Sequence, residues 1–271
     1  MTRVVCVLSG GSAKGAAHVG AVRALADWEL QPAHFVGTSI GAVVAASFAS
    51  GLPYEEVLRR ITTLSRRDFA ALSPHALLGP FASHLFQDGV WREAVEMLVP
   101  ARGFDDLQTP LTVTAVDAQS GDLVLFGAGG RSRVPLVDAL CASCALPLYF
   151  PPVRIGDRQY LDGGVRAVFP LDVAAQFDPD LVFGVNVGPT LSGANGTSPG
   201  LIGAHRRAMR IMMAAQAEEV ITRWTRERRD TLVLAQPVLG GRTTFAVEGV
   251  VGYVESGYRA AYRALCEWRP R

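Results

Sequence analysis

The fold is decided by residues 4–41, which read VVCVLSGGSAKGAAHVGAVRALADWELQPAHFVGTSIG. The opening run, Val4–Leu8, is apolar without alternation, which is typical of a strand covered on both faces, as in a parallel sheet. An amphipathic helix over about 14–29 and a short strand at 34–36 follow, and a helix of small residues ends near Gly51. This order of strand, helix, strand and helix predicts an α/β protein.

The rest of the chain continues the pattern without a linker-like segment. Two pairs of apolar runs are separated by short turn sequences, which predict antiparallel hairpins. We predict strands at 111–117, 122–126, 153–155, 158–160, 181–187 and 231–235, and helices over about 202–229 and 247–268. The predicted fold is therefore a three-layer α/β/α arrangement around a central, mostly parallel but mixed sheet, in one domain spanning 1–271. The weakly patterned stretch 65–89 is expected to form a helical cap or a lid.

Composition excludes several classes of protein. The 271 residues carry a net charge of +1 and are 49% hydrophobic, which excludes intrinsic disorder and argues against a nucleic-acid partner held through phosphates. Four cysteines make no disulfide framework, and the pair Cys141 and Cys144 is typical of a buried helix end. No cluster has metal-ligand spacing, so we expect neither metal nor cofactor. With no visible signal peptide and no apolar run near the roughly 20 residues that span a bilayer, we expect a soluble, cytoplasmic protein.

The strongest motif is Gly37-Thr38-Ser39-Ile40-Gly41, a G-x-S-x-G between a predicted strand and a predicted helix. That context is the one a nucleophile elbow requires, because the glycines permit a turn too tight for side chains and the serine then projects from the sheet edge. The helix that starts there adds backbone N–H groups and a positive dipole end, which stabilise developing negative charge. Ser39 is therefore a candidate nucleophile.

A second glycine-rich loop, Gly10 to Gly15, also lies between a strand and a helix. It fails as a P-loop because Lys14, the only lysine in the chain, is followed by Gly15. It lacks the middle glycine of a dinucleotide fingerprint, since Ser12 stands there. The interpretation as an oxyanion hole is favoured, because parallel strands bring this loop and Ser39 to the same sheet edge.

The third motif, Asp162-Gly163-Gly164, directly follows a predicted strand. An aspartate before two glycines is most often a simple turn. It gains weight because a serine hydroxyl is a poor nucleophile until a base takes its proton.

With these three motifs in this order, the chain resembles the patatin-like phospholipases, in particular their compact single-domain bacterial branch. The resemblance implies a serine acyl-ester hydrolase of lipids that uses a Ser39–Asp162 dyad and an acyl-enzyme. It also implies an oxyanion hole made by the N–H groups of Gly11, Ser12 and Ile40, with Lys14 in the family's basic position. The implied oxyanion and substrate-binding set is Gly10, Gly11, Ser12, Lys14, Gly15 and Ile40, and the implied turn glycines are Gly37, Gly41, Gly163 and Gly164.

One residue departs from the family pattern. The loop often has three consecutive glycines, and here the third position is Ser12. If that position requires a positive φ, serine costs strain of about 1–3 kcal/mol.

Other interpretations stay open at this point. His205 is the only histidine after Asp162, so a Ser-Asp-His triad would have to use it. A non-catalytic lipid- or nucleotide-binding module is a further alternative. The expected partner is a lipid ester. The arginine-rich helix over 205–230 is either a solvated face, as such charge more often is, or a peripheral contact to the inner face of the membrane. Met209, Met212 and Met213 on that helix would line an acyl-chain channel or pack in the core.

Overall fold

A computed structural model describes residues 2–65, 68, 72–73, 84–190, 200–227, 231–239 and 249–268. The strands are β1 Val4–Leu8, β2 Pro32–Thr38, β3 Leu111–Asp117, β4 Leu123–Gly127, β5 Val153–Ile155, β6 Arg158–Asp162, β7 Leu181–Val185 and β8 Leu232–Ala235. The helices are α1 Ala16–Asp27, α2 Ile40–Ala49, α3 Tyr54–Thr63, α4 Asp88–Leu98, α5 Leu136–Ser143, α6 Gly164–Ala167, α7 Leu171–Ala174, α8 Gly200–Glu227 and α9 Val250–Glu267. Most of the predicted cap or lid over 65–89 lies outside the described residues, so it stays a prediction.

The sheet is mixed, as predicted. Its strand order is β5-β6-β3-β2-β1-β7-β8, with β4 paired to β3. The strands from β3 across to β8 run parallel, and both predicted hairpins, β3–β4 and β5–β6, pair antiparallel. The βαβα start therefore forms the centre of the sheet, where its carboxyl ends meet at one edge.

Strand β3 is shared unusually by three neighbours. Along one edge β4 pairs with residues 112–116, so the other two partners must share the opposite edge. There β2 pairs with the first half, up to Thr38 opposite Thr114, and β6 continues with Asp162 opposite Ala115. The carboxyl end of the antiparallel strand β6 thus meets the carboxyl end of β2 along this edge.

Helices cover both faces of this sheet. In β1, Val4, Cys6 and Leu8 belong to the larger apolar core, which includes residues of α1, α2 and α9. The alternate residues, Val5 and Val7, belong to a second core with residues of α7 and α8. All five are fully buried, and the three-layer α/β/α prediction is confirmed.

Helix boundaries differ from the prediction mainly near the sheet edge. The helix expected from Lys14 begins as a 3₁₀ turn, Ser12–Gly15, before α1 starts. The predicted helix end around Cys141 and Cys144 is confirmed, since α5 stops at Ser143 with both thiols free and buried. Among the helices of the described chain, none is long and apolar enough to cross a membrane.

Candidate active site

Ser39 lies in a sharp turn between β2 and α2. Its backbone adopts φ 55° and ψ −131°, a strained conformation of the kind that concentrates at functional sites. The flanking glycines are required by close approach. A Cβ on Gly37 would lie 2.5 Å from Ala42 Cα, and one on Gly41 would lie 2.4 Å from the carbonyl oxygen of Leu8. The turn therefore has the geometry of a nucleophile elbow.

The Ser39 hydroxyl donates a hydrogen bond of 2.8 Å to Asp162 Oδ2. Asp162 is the last residue of β6 and is buried. Burial raises the pKa of its carboxyl from 3.8 to about 7, against the opposing effect of hydrogen bonds from Gly164 and Ser39. A carboxylate that is poised near neutral pH is suited to accept a proton from the hydroxyl that it contacts.

The two glycines after Asp162 position its carboxylate. The Gly164 N–H donates to Asp162 Oδ1 at 2.7 Å, so both carboxylate oxygens are held. A Cβ on Gly163 would lie 2.3 Å from Thr114 Oγ1. Only glycine permits this close packing of the turn on β3.

Ser143 holds the backbone of Ser39. Its Oγ accepts a 2.8 Å hydrogen bond from the Ser39 N–H, and its side chain is fully buried at the end of α5. We did not predict this role from the sequence. A buried serine among small residues resembles any core position, so no local signal marks it.

The glycine-rich loop lies directly beside Ser39. A Cβ on Gly10 would be 3.4 Å from Ser39 Cβ. The Gly10 N–H donates to the Val168 carbonyl at 2.8 Å, so it has a partner already and is not offered to a ligand. Ser12 has a positive φ of 51°, so the serine at this position carries the backbone strain that a positive φ imposes on a residue with a Cβ. Ile40 is the first residue of α2.

Ser9, which we did not predict as a site residue, holds the glycine-rich loop in place through hydrogen bonds. Its hydroxyl accepts from the Val187 N–H at 2.9 Å and donates to the Gly10 carbonyl at 3.0 Å. Its carbonyl lies 2.8 Å from His18 Nε2. Burial lowers the pKa of His18 to about 4, so the ring is neutral at pH 7 and serves to position the loop.

Lys14 lies within the 3₁₀ turn of the loop and is half-buried. Burial lowers the pKa of its ammonium, and the nearby positive charge of Arg210 lowers it further. A Cβ on Gly15 would lie 2.5 Å from the Ile40 side chain. Gly15 thus lets the glycine-rich loop pack directly on the elbow.

Helix α8 lies against the turn at Gly164 and Val165, which follows Asp162. A Cβ on Gly164 would lie 3.3 Å from the Met213 methyl, and Gln216 Nε2 donates to the Val165 carbonyl at 2.9 Å. Met212, by contrast, is 54% exposed. The three methionines therefore do not act as one group, since Met213 lies near the dyad while Met212 faces outward.

The remaining candidates are not joined to the dyad. In the described part of the chain the buried Nε2 of His205 has no hydrogen-bond partner, and Asp162 is held by Ser39 and Gly164. Cys144 is buried, and burial holds the pKa of its thiol well above the usual value. A neutral thiol of this kind is a weak nucleophile. The described ranges contain no group of three or more metal-ligating side chains.

A sequence model of the family described as patatin-like phospholipase matches residues 6–175, more than half of the chain. An uncharacterized NTE family protein of Mycobacterium tuberculosis is 28% identical over 191 residues, which cover 70% of this chain and 51% of that protein. An omega-hydroxyceramide transacylase of mouse is 31% identical over 156 residues, which cover 56% of this chain and 25% of that protein. The chain thus spans about half the length of its mycobacterial relative.

Among solved structures, VipD from Legionella pneumophila has the same fold. The TM-score is 0.51 at 14% sequence identity, over 98% of this chain and 67% of that one. At this identity the likeness concerns the fold alone. It agrees with the mixed sheet between helical layers described above.

Proposed function

The chain belongs to the patatin-like phospholipase family, and from that premise we propose that it is a serine hydrolase of lipid acyl esters that works through a Ser39–Asp162 dyad. The single observation that carries the proposal is the 2.8 Å hydrogen bond from the Ser39 hydroxyl to Asp162 Oδ2. It joins the residue with the strained elbow backbone to the buried carboxyl with a raised pKa. Strain and a perturbed pKa at one pair are what nucleophilic catalysis requires.

The first half-reaction forms an acyl-enzyme. Ser39 Oγ attacks the ester carbonyl carbon while Asp162 takes the hydroxyl proton, which gives a tetrahedral oxyanion. Collapse of that intermediate breaks the bond to the alcohol oxygen, and the departing oxygen takes the proton from Asp162. The acyl group then stays on Ser39.

The second half-reaction releases the acid. Asp162 accepts a proton from water as the water oxygen attacks the acyl carbon, and the proton returns to Ser39 when the fatty acid leaves. Both halves need one base beside one hydroxyl, which the observed hydrogen bond supports. A histidine is not required in this scheme.

We assign the oxyanion hole to the backbone N–H groups of Gly11, Ser12 and Ile40. The position of Gly10 supports this, because a Cβ built on it would lie 3.4 Å from Ser39 Cβ and the loop continues from there to Gly11 and Ser12. The N–H at the start of α2 adds the positive end of a helix dipole. Removing one preorganised donor of this type from a comparable site costs about 3–4 kcal/mol of transition-state stabilisation.

The substrate class follows from the family and the neighbours of the dyad. We propose a lipid ester, whose acyl chain is expected beside Met213, at the face of α8 that contacts Gly164. Lys14 and Arg210 add positive charge beside the oxyanion loop. The whole chain, 1–271, is proposed to act as one acyl hydrolase domain.

Replacement of Ser39 by alanine tests the proposal. We expect Ser39→Ala to abolish turnover of a p-nitrophenyl acyl ester and labelling by a fluorophosphonate probe, with unfolding still cooperative. Ser50→Ala is the matched control, because Ser50 caps the far end of the same helix and bonds only to the Ala46 carbonyl among the described contacts of its hydroxyl. Activity that survives in Ser39→Ala, or its loss in both variants alike, would refute the dyad. A parent protein that binds lipid but takes no probe label would favour a binding module.

A further inference from the structure

The first half of α8 presents an apolar stripe to solvent. Its members are spaced three or four residues apart, which places them on one side of a helix. They are Leu201, Ala204, Ala208, Ile211, Met212 and Ala215, and each is exposed. Leu201 is 83% exposed, and Met212 and Ile211 are 54% and 46% exposed. We call these six residues the α8 stripe.

The stripe ends where the helix changes character. Beyond residue 217 the exposed positions become polar or charged, including Glu218, Glu219, Thr222 and Thr225. An ordinary solvated helix would carry such residues along its whole outer face. Exposed apolar residues that are contiguous, and not scattered singly, mark an interaction surface.

Charge is also divided along the helix. The segment 200–217 contains Arg206, Arg207 and Arg210 and no aspartate or glutamate. Of these, Arg207 is exposed beside the stripe, whereas Arg206 and Arg210 lie on the half-buried side of the helix. An exposed apolar stripe with a basic residue and no acidic residue beside it is complementary to a surface with an apolar interior and anionic groups above it. That combination is the signature of a helix lying in a lipid interface.

The α8 stripe lies on the outer side of the helix, and the inner side of the same turns faces the candidate active site. On the inner side of the same turns, Met213 lies beside Gly164, and the Arg210 charge acts on Lys14. Arg206 hydrogen-bonds Tyr149. Because a helix with its side chains is about 10–12 Å across, a lipid surface on the stripe lies about one helix width from the residues around Ser39.

We propose that the α8 stripe docks this protein on an anionic lipid surface, which brings the lipid ester to within about one helix width of the site. The inference rests on the proposed function for the nature of the substrate, whereas the docking itself is a property of the surface. A second copy of the chain is the main competing occupant. The absence of acidic residues from 200–217 disfavours it, since a two-fold contact through this face would offer the exposed Arg207 of each copy no acidic partner.

The experiment measures binding to vesicles of phosphatidylcholine and phosphatidylglycerol in equal amounts, by co-sedimentation. All variants are made in Ser39→Ala, so that lipid is not consumed and binding is read whether or not Ser39 is catalytic. We expect Leu201→Asp with Ile211→Asp to lower partitioning about tenfold or more, because two apolar contacts are lost and two negative charges are added. Thr222→Asp with Thr225→Asp adds the same charge to the same helix beyond the stripe and is expected to bind as the parent does.

Three outcomes would overturn the proposal: no vesicle binding by the Ser39→Ala parent, equal loss in both double variants, or no loss in the stripe variant. Sedimentation velocity tests the competing occupant. A dimer that the stripe variant dissociates, with vesicle binding unchanged, would assign the stripe to a second copy. Circular dichroism and thermal unfolding verify folding, and the single variant Leu201→Asp, at the most exposed position, replaces the double variant if that fails to fold.

Discussion

Ser39 Oγ lies 2.8 Å from Asp162 Oδ2, although 123 residues separate the two in the chain. The pairing of β3 explains this proximity. Strand β2 ends at Thr38 opposite Thr114, and β6 ends at Asp162 opposite Ala115, on the same edge of β3. The two side chains are therefore brought together by backbone hydrogen bonds within the sheet.

The raised pKa of Asp162 predicts how activity depends on pH. The base must be ionised to accept a proton, and burial raises its pKa to about 7. We therefore expect kcat/KM for a neutral ester to rise about tenfold per pH unit below pH 7 and to level off above it. Asp117→Asn is the control, because the pKa of Asp117 is lowered by hydrogen bonds from Gln119 and Arg158, and it should leave the profile unchanged. A profile that is flat through pH 7 would contradict this assignment of the base.

Ser143→Ala should slow catalysis without preventing folding. The variant removes the acceptor for the Ser39 N–H, so the elbow loses a hydrogen bond that holds its strained backbone. We expect kcat to fall about 10- to 100-fold with little change in KM. Ser143→Thr keeps a hydroxyl and should recover part of the rate.

Ser47→Ala is the matched control for this positioning role. Ser47 is also buried, and its hydroxyl donates within α2 to the Val43 carbonyl at 3.0 Å, away from the nucleophile. It should lower the free energy of unfolding and leave kcat unaltered. If both variants reduce kcat to the same extent, Ser143 is only structural.

Ser12→Gly should stabilise the protein. Ser12 has φ 51°, and a residue with a Cβ pays about 1–2 kcal/mol in that region, whereas glycine costs about 0.5–1 kcal/mol in additional chain entropy. We expect a net gain of about 0.5 kcal/mol in the free energy of unfolding, with kcat maintained or raised. Urea denaturation measures it.

Ser50→Gly serves as the comparison for Ser12→Gly. Ser50 has φ −72°, so glycine there brings the entropy cost and no relief of strain, and it should destabilise. Should Ser12→Gly destabilise by as much as Ser50→Gly does, the positive φ carries no strain.

Much of the fold was predictable because its signals are local. The βαβα start, both hairpins and the buried strands follow from apolar runs and turn residues. Helix α4 was not predicted although Trp91, Ala94, Val95 and Leu98 are buried at helical spacing, since it directly follows the weakly patterned stretch 65–89. The meeting of β2 with β6 was not predictable, because the register of β3 depends on pairing between distant segments.

The site divides in the same way. Ser39, Asp162 and the glycine-rich loop lie in sequence motifs, and their residue types are the ones that the proposed reaction needs. Ser9 and Ser143 act through hydrogen bonds that form only in the folded state. A serine in a small-residue segment looks the same whether or not it has such a role, so only the structure distinguishes them.

Lys14→Arg should impair activity. Lys14 is half-buried, and its ammonium already has a lowered pKa from burial and from Arg210. A larger group that cannot give up its charge will crowd the loop and repel Arg210, so we expect kcat/KM to fall about tenfold. Lys14→Arg with Arg210→Ala should recover part of this loss in a double-mutant cycle. A silent Lys14→Arg would show that only the charge at position 14 matters, and additive effects would exclude repulsion by Arg210 as the cause of the loss.

His205→Ala distinguishes the dyad from a Ser-Asp-His triad. A triad histidine must lie between the serine and the acid, whereas the Ser39 hydroxyl donates directly to Asp162 Oδ2, and Gly164 occupies Oδ1. We therefore expect His205→Ala to retain kcat/KM within about twofold. Asp162→Asn, which keeps the shape and removes the base, should lose about 10²–10⁴-fold. A loss in His205→Ala comparable to that of Asp162→Asn would require a rearranged site in which His205 reaches the serine.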